Sequence, residues 1–278
     1  MSVLSALGKI TGVSKVKNAS DKMKLAKNIQ KINMDRFEEQ KEITCKKLNE
    51  MGMRELEILQ KFETFSDTIE RIQKRPEFKG YKASNIDLSQ FDIEELKKIS
   101  SGAGAFLEKM SNTAVEMAAG GAATLGVATV ILGGPVFGTM TVNSLGDLLS
   151  YTADRMWKQT VDLEKKLDEA CVYLKEIYKT AKKLDDSLII VNASYKRHFE
   201  KLRKIVWGKG KKEWSEFTDE EKMITQNTIL LAQLLFELCK VKLLLKDEVL
   251  EQDLINDEVV DKVTQETGDI LRSKKLYI

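Results

Sequence analysis

From Leu163 onward the chain repeats in steps of alternately four and three residues: Leu163, Leu167, Ala170, Leu174, Ile177, Ala181, Leu184, Leu188, Val191, Tyr195, His198, Leu202 and Ile205. The average period is about 3.5, the repeat that keeps one stripe of a helix turned toward a neighbouring helix. A strand alternates with period two and cannot use this pattern. The run predicts one long helix over about 150–207, broken by Gly208-Lys209-Gly210.

The remaining segments point the same way. Residues 18–74 form a second long helical candidate, with Leu48, Met51, Ile58, Phe62, Phe65, Ile69 and Ile72 on one stripe. Glu55 interrupts that stripe, Gly52 is the expected bend, and Pro76 is the expected stop because it lacks an amide hydrogen. Asp92 with Glu95 predicts the start of a helix running toward Glu116. Thr218 with Glu221 reads as a capping box opening a leucine-rich helix that extends to Leu245, and a last short helix is expected after Asn256. With two prolines and few aromatics, the expected class is all-α: an elongated antiparallel bundle of long coiled-coil-like helices, with an apolar hairpin at one end. The expected divisions are an amphipathic segment over 1–17, helices over 18–116, an uncharged hairpin over 117–149, the heptad helix over 150–207 and acidic C-terminal helices over 208–278.

The uncharged stretch MAAGGAATLGVATVILGGPVFGTMTVNSLG, residues 117–146, stands in a chain that is 32% charged. It is long enough for one membrane crossing. Gly133-Gly134-Pro135 near its middle is a turn signal, so a hairpin is the expected form. Ala114, Ala118, Ala122 and Gly126 are spaced by four, continuing to Val130, and Gly134 and Gly138 form a second such pair. Small residues at this spacing let helices approach closely in lipid. The same ridge would suit a tight hairpin inside a soluble bundle, whereas a permanently spanning helix is disfavoured by the many Gly and Thr. These nine residues, Ala114 to Gly138, are the candidates for insertion and oligomerisation.

Charge is unevenly spread. Residues 1–33 carry seven lysines against Asp21 alone, residues 196–212 carry eight cations against Glu200 alone, and residues 213–278 hold fifteen acids against eight bases. Lys196, Arg197, Lys201, Arg203, Lys204, Lys209, Lys211 and Lys212, flanked by Trp207 and Trp214, are candidates for binding an anionic surface. The competing reading is a solvated face neutralised by the acidic C-terminal quarter. Antiparallel pairing of the long helices would bring the N-terminal lysines to this same end.

Nothing in the sequence calls for catalysis. His198, the only histidine, falls on the heptad stripe and reads as a packing or partner-facing residue that protonation in acid would perturb. Cys45, Cys171 and Cys239 have neither zinc-site nor disulfide-framework spacing, and GKITGVSK does not match a phosphate-binding loop. No enzyme activity, metal or cofactor is expected. The N-terminus lacks the order of a secretory signal, so synthesis in the cytoplasm with conditional membrane association is the expected localisation.

A long helix, a glycine- and alanine-rich uncharged run and a second long helix of matching length together resemble the α-helical pore-forming toxins of the cytolysin-A type, across residues 18–210. The segment KFETFSDTIERIQKRPEF, with the glycine-rich run after it, also resembles an uncharacterised bacterial family of helical proteins with a glycine-rich hairpin. The toxin resemblance implies an apolar head hidden in a soluble form and released to build a homo-oligomeric pore, with a second protein component as a further partner class. Two other readings accompany it. One is a soluble coiled-coil scaffold whose hairpin is core. The other is nucleic-acid binding through the basic end, ranked lower because no recognised nucleic-acid module is present.

Overall fold

The computed structural model describes residues 19–76, 96, 98–101, 103, 153–245 and 254–276. These residues are mostly helical. Helix α1 runs over Ala19–Gln60, α2 over Phe62–Glu70 and α3 over Ala153–Arg203; a π-helical turn, Lys204–Gly208, follows. A short 3-10 turn, Trp214–Glu216, precedes α4 at Asp219–Lys240. Strands β1 (Leu244–Leu245) and β2 (Leu254–Ile255) pair antiparallel before α5, Asp257–Ser273. The chain divides into two compact units, residues 1–48 with 137–179 and residues 49–136 with 180–278.

In the first unit, three contacts join the early part of α1 to the early part of α3. Gln30 Nε2 donates to Thr160 Oγ1 at 2.9 Å, Arg36 pairs with Asp168, and Thr44 Oγ1 donates to the Leu174 carbonyl at 3.2 Å. Their sequence separations are 130, 132 and 130, so both partners advance together and the helices run parallel. Phe37, Leu167, Ala170, Cys171 and Leu174 form the apolar cluster, with Met34 and Leu163 against it. Polar residues share this interface: Asn33, Thr44, Thr160 and Glu164 are all buried, and among the described residues neither amide atom of Asn33 has a hydrogen-bond partner.

The second unit has a different interior. Here too the pairing ascends: Arg54 Nε meets Asp185 Oδ1 at 2.6 Å, Phe62 meets Tyr195, Phe65 meets Phe199, and Trp207 Nε1 donates to Thr68 Oγ1. Phe62, Phe65, Tyr195, Phe199 and Phe236 make a ring cluster with centroids 5.5–6.5 Å apart, mostly edge to face, the arrangement favoured by the ring quadrupoles. Helix α4 lies antiparallel to α1 and α2, since Phe236 touches Phe62 whereas Cys239 lies beside Glu55. Helix α5 follows α3: Lys183 pairs with Asp261 at 2.6 Å, and Ser194 Oγ donates to the Leu276 carbonyl at 2.8 Å.

The expected antiparallel pairing of the two long segments is therefore corrected, because within each unit these contacts between the described residues ascend in register. The 3.5-residue stripe itself is used as read. All of its positions are buried except Leu163 and His198, which are half-buried.

Three helix boundaries also differ from expectation. Gly52 stays helical and buried, and the interruption falls at Lys61. There Ser100 Oγ donates to the Gln60 carbonyl at 2.6 Å and accepts from the Glu63 amide at 3.0 Å. A side chain inserted into the helical ladder is a recognised cause of such a break. Helix α2 ends at Glu70, before Pro76, because Gln73 turns its backbone outward: its amide donates to the Lys212 carbonyl at 2.7 Å and its carbonyl accepts from the Trp214 amide at 3.0 Å. Helix α4 ends at Lys240 instead of Leu245, where Val241 to Leu244 go over to extended chain and β1. The Thr218–Glu221 capping box forms as expected, and α5 starts directly after Asn256.

Candidate anionic-surface site

Parallel pairing in the second unit places the C-terminal ends of α2 and α3 side by side. Both ends carry the negative pole of a helix dipole, a setting that favours cations. The sequence supplies them twice. Arg75 Nη1 donates to the Ile69 and Ile72 carbonyls at 3.0 and 3.1 Å, and Lys201 and Arg203 occupy the last turn of α3.

Trp207 sits in the π-helical turn, 49% exposed, with the Arg71 guanidinium carbon 3.4 Å from its ring centroid. That distance is a close cation–π contact. Its indole N–H donates to Thr68 Oγ1 at 3.2 Å, so the ring is fixed at both edge and face. Trp214 is half-buried and stacks on Phe217 at 5.5 Å. Of Trp207 and Trp214, Trp207 is the one presented to solvent.

The eight candidate cations divide by partner. Lys209 Nζ and Lys211 Nζ both donate to the buried Glu221 carboxylate, at 2.7 and 2.5 Å. Glu221 also accepts from the Thr218 amide at 3.0 Å in the capping box. Burial alone would raise its pKa, but the two ammonium groups and the amide outweigh it and hold the carboxyl down to about 2. Lys209 and Lys211 thus fasten the turn to α4. Arg203 pairs with Glu200 at 3.2 Å, and the Lys212 backbone joins Gln73 and Glu216. Lys196, Arg197, Lys201, Lys204 and Lys212 are exposed. Together with Arg203 and Lys209, which are exposed as well, they form the cationic part of the site that solvent reaches.

Arg71, Lys74 and Arg75 belong to this corner although they lie about 130 residues upstream in the sequence. Lys74 reaches Glu213 at 3.2 Å. Only the parallel register brings KRP beside KGKK. Lys24, Lys27 and Lys31 lie on the part of α1 that runs parallel to the start of α3, so the expected antiparallel pairing that would gather the N-terminal lysines at this corner is not found among the described residues.

His198 is half-buried, with Nδ1 2.9 Å from the Ser194 carbonyl oxygen. Partial burial lowers its pKa against the opposing effect of that carbonyl, and Lys201 and Arg197 lower it further. It stays neutral on the seam near neutral pH. Stability linked to it is lost as the pH falls below the ordinary histidine value of 6.5.

Ala114, Ala118, Ala122, Gly126, Val130, Gly133, Gly134, Pro135 and Gly138 lie outside the described residues. Among the described residues no helix is long and apolar enough to cross a membrane, and no group of three metal-ligating side chains converges. Comparison with known proteins finds no matching family model, no matching curated protein and no matching solved structure.

Proposed function

We propose that this is a non-enzymatic membrane-active protein whose uncharged stretch, residues 117–146, enters lipid after release from a soluble helical form and oligomerises to permeabilise the membrane. The observation carrying the reading is that stretch itself: thirty residues without a charge in a chain that is otherwise heavily charged. The exposed cations around Trp207 support it by offering anionic headgroups a contact separate from the inserting stretch. The helix, uncharged run and helix layout of cytolysin-A-type toxins supports it as architecture. The parallel sense of α1 and α3 nevertheless differs from two arms folded back on one another.

The test is release of an encapsulated dye from anionic and neutral vesicles. Wild type should cause leakage, greater from anionic vesicles, and Gly126→Leu should block assembly while leaving the helical signal intact. Equal leakage by Gly126→Leu would remove the small-residue ridge from the account. Silence of wild type across lipid compositions and pH would favour the second reading, a soluble coiled-coil scaffold. That reading draws support from Ile32, Ile43, Val161 and Val172, which are large, apolar and exposed on α1 and α3. A scaffold should ignore vesicles and hold a stable protein partner.

A further inference from the structure

Glu55 lies in the interior of the second unit. It is 1% exposed, and among the described residues neither carboxyl oxygen has a hydrogen-bond partner. The groups facing it come from two other helices. Asp185 on α3 is fully buried, and Cys239 on α4 is fully buried as well. Arg54, the neighbouring cation on its own helix, is engaged by Asp185 at 2.6 Å. Helix α5 directs Asp261 to the exposed Lys183.

Among the described residues, a charged carboxylate at such a position would lack hydrogen bonds and an available cation, and it would be withdrawn from water while facing a second carboxylate. Each of these disfavours the ionised form. Burial first, and Asp185 second, push the Glu55 carboxyl well above its ordinary range, and burial together with Glu55 pushes the Cys239 thiol up. Removing the acid would be the simple way to build a core, since Leu or Met fits this stripe. The chain instead has a proton-binding group where α1, α3 and α4 meet.

We propose that Glu55 is a proton-operated latch on the packing of α1, α3 and α4: these helices close on the neutral carboxyl and loosen when it ionises. The sign follows from linkage. The packed state binds a proton that the open state gives up, so packing is strongest below the ordinary glutamate pKa of 4.5 and weakens as pH rises toward the value in the packed state. Glu55 therefore opposes His198, whose protonation loosens its seam in acid. Loosening through Glu55 is a response to rising pH, and it would operate whether or not the chain acts on membranes.

Cys239 is a native reporter of opening at this spot. The full chain would be labelled with a thiol reagent at a series of pH values, with the modified cysteine identified by peptide mass, alongside Glu55→Gln. Taking the ratio of the two proteins at each pH cancels the thiol's own titration. The ratio of wild-type to Glu55→Gln labelling at Cys239 should climb with pH, by up to about tenfold per unit within the window between the two pKa values. A ratio that stays constant with pH would overturn the latch. Glu55→Met gives an independent neutral occupant and should behave like Glu55→Gln. Failure of both neutral variants to fold would overturn the proposal too, since the packed state is proposed to hold a neutral group there.

Discussion

The two units place the same pair of helices in the same parallel sense, yet fill the interface between them differently. In the first, Asn33, Thr44, Thr160 and Glu164 are buried beside a small cluster around Phe37 and Leu174. In the second, Phe62, Phe65, Tyr195, Phe199 and Phe236 interlock, and α4 and α5 complete the enclosure. Buried polar groups at seam positions specify register at a cost in stability, whereas large buried rings contribute mainly stability. Both units bury polar groups, Glu55 and Asp185 among those of the second, so what sets the second apart is the packing energy of its rings. Local opening should begin in the first.

The comparison can be broken most directly at the rings. Phe62→Ala should destabilise the second unit by about 3–5 kcal/mol, the range for truncating a fully buried aromatic. Amide hydrogen exchange resolved by unit is the suitable readout, because a chain of two units need not unfold in one step. If Leu167→Ala in the first unit costs as much, the larger packing energy assigned to the second unit is wrong.

A smaller effect of opposite sign is expected at Asn33. Its amide is buried without partners, so Asn33→Leu should stabilise the first unit by about 1 kcal/mol and leave exchange in the second unchanged. A loss of stability would show that the amide is satisfied and that the polar seam contributes energy as well as register.

Thr218→Ala should cost about 1 kcal/mol, confined to the second unit, because Thr218 caps α4. The capping box also has a pH signature. Glu221 is held down to about 2, so the stability it provides is complete above 4.5 and disappears as the pH falls from 4.5 toward 2. Glu221→Gln should flatten that part of an acid titration. An unchanged acid limb would mean that Lys209 and Lys211 do not hold the turn to α4.

Much of this was legible in the sequence. The stripe from Leu163 to Ile205 gave both the helix and its buried face, because period alone decides which side chains meet a neighbour. The α4 cap was legible because its hydrogen bonds are local, spanning Thr218 to Glu221. What could not be read were features created by distant partners. The break at Lys61 depends on Ser100, and the early end of α2 depends on Lys212 and Trp214. Arg71, Lys74 and Arg75 joined the basic corner only through the parallel register, which periodicity does not encode: a 3.5-residue stripe fits a neighbour running either way. Glu55 could be read as an interruption of its stripe, but not as a carboxyl facing Asp185 and Cys239.

Parallel pairing of α1 and α3 underlies the basic corner, the shared aromatic core and the contrast between the units. It can be tested on the unmodified protein with a short amine-reactive cross-linker and peptide mapping. Lys31 should link to Lys165 or Lys166, and Lys46 to Lys175 or Lys179. Links from Lys31 to Lys179 and from Lys46 to Lys165, in place of those pairs, would show that the helices run antiparallel and would contradict the account.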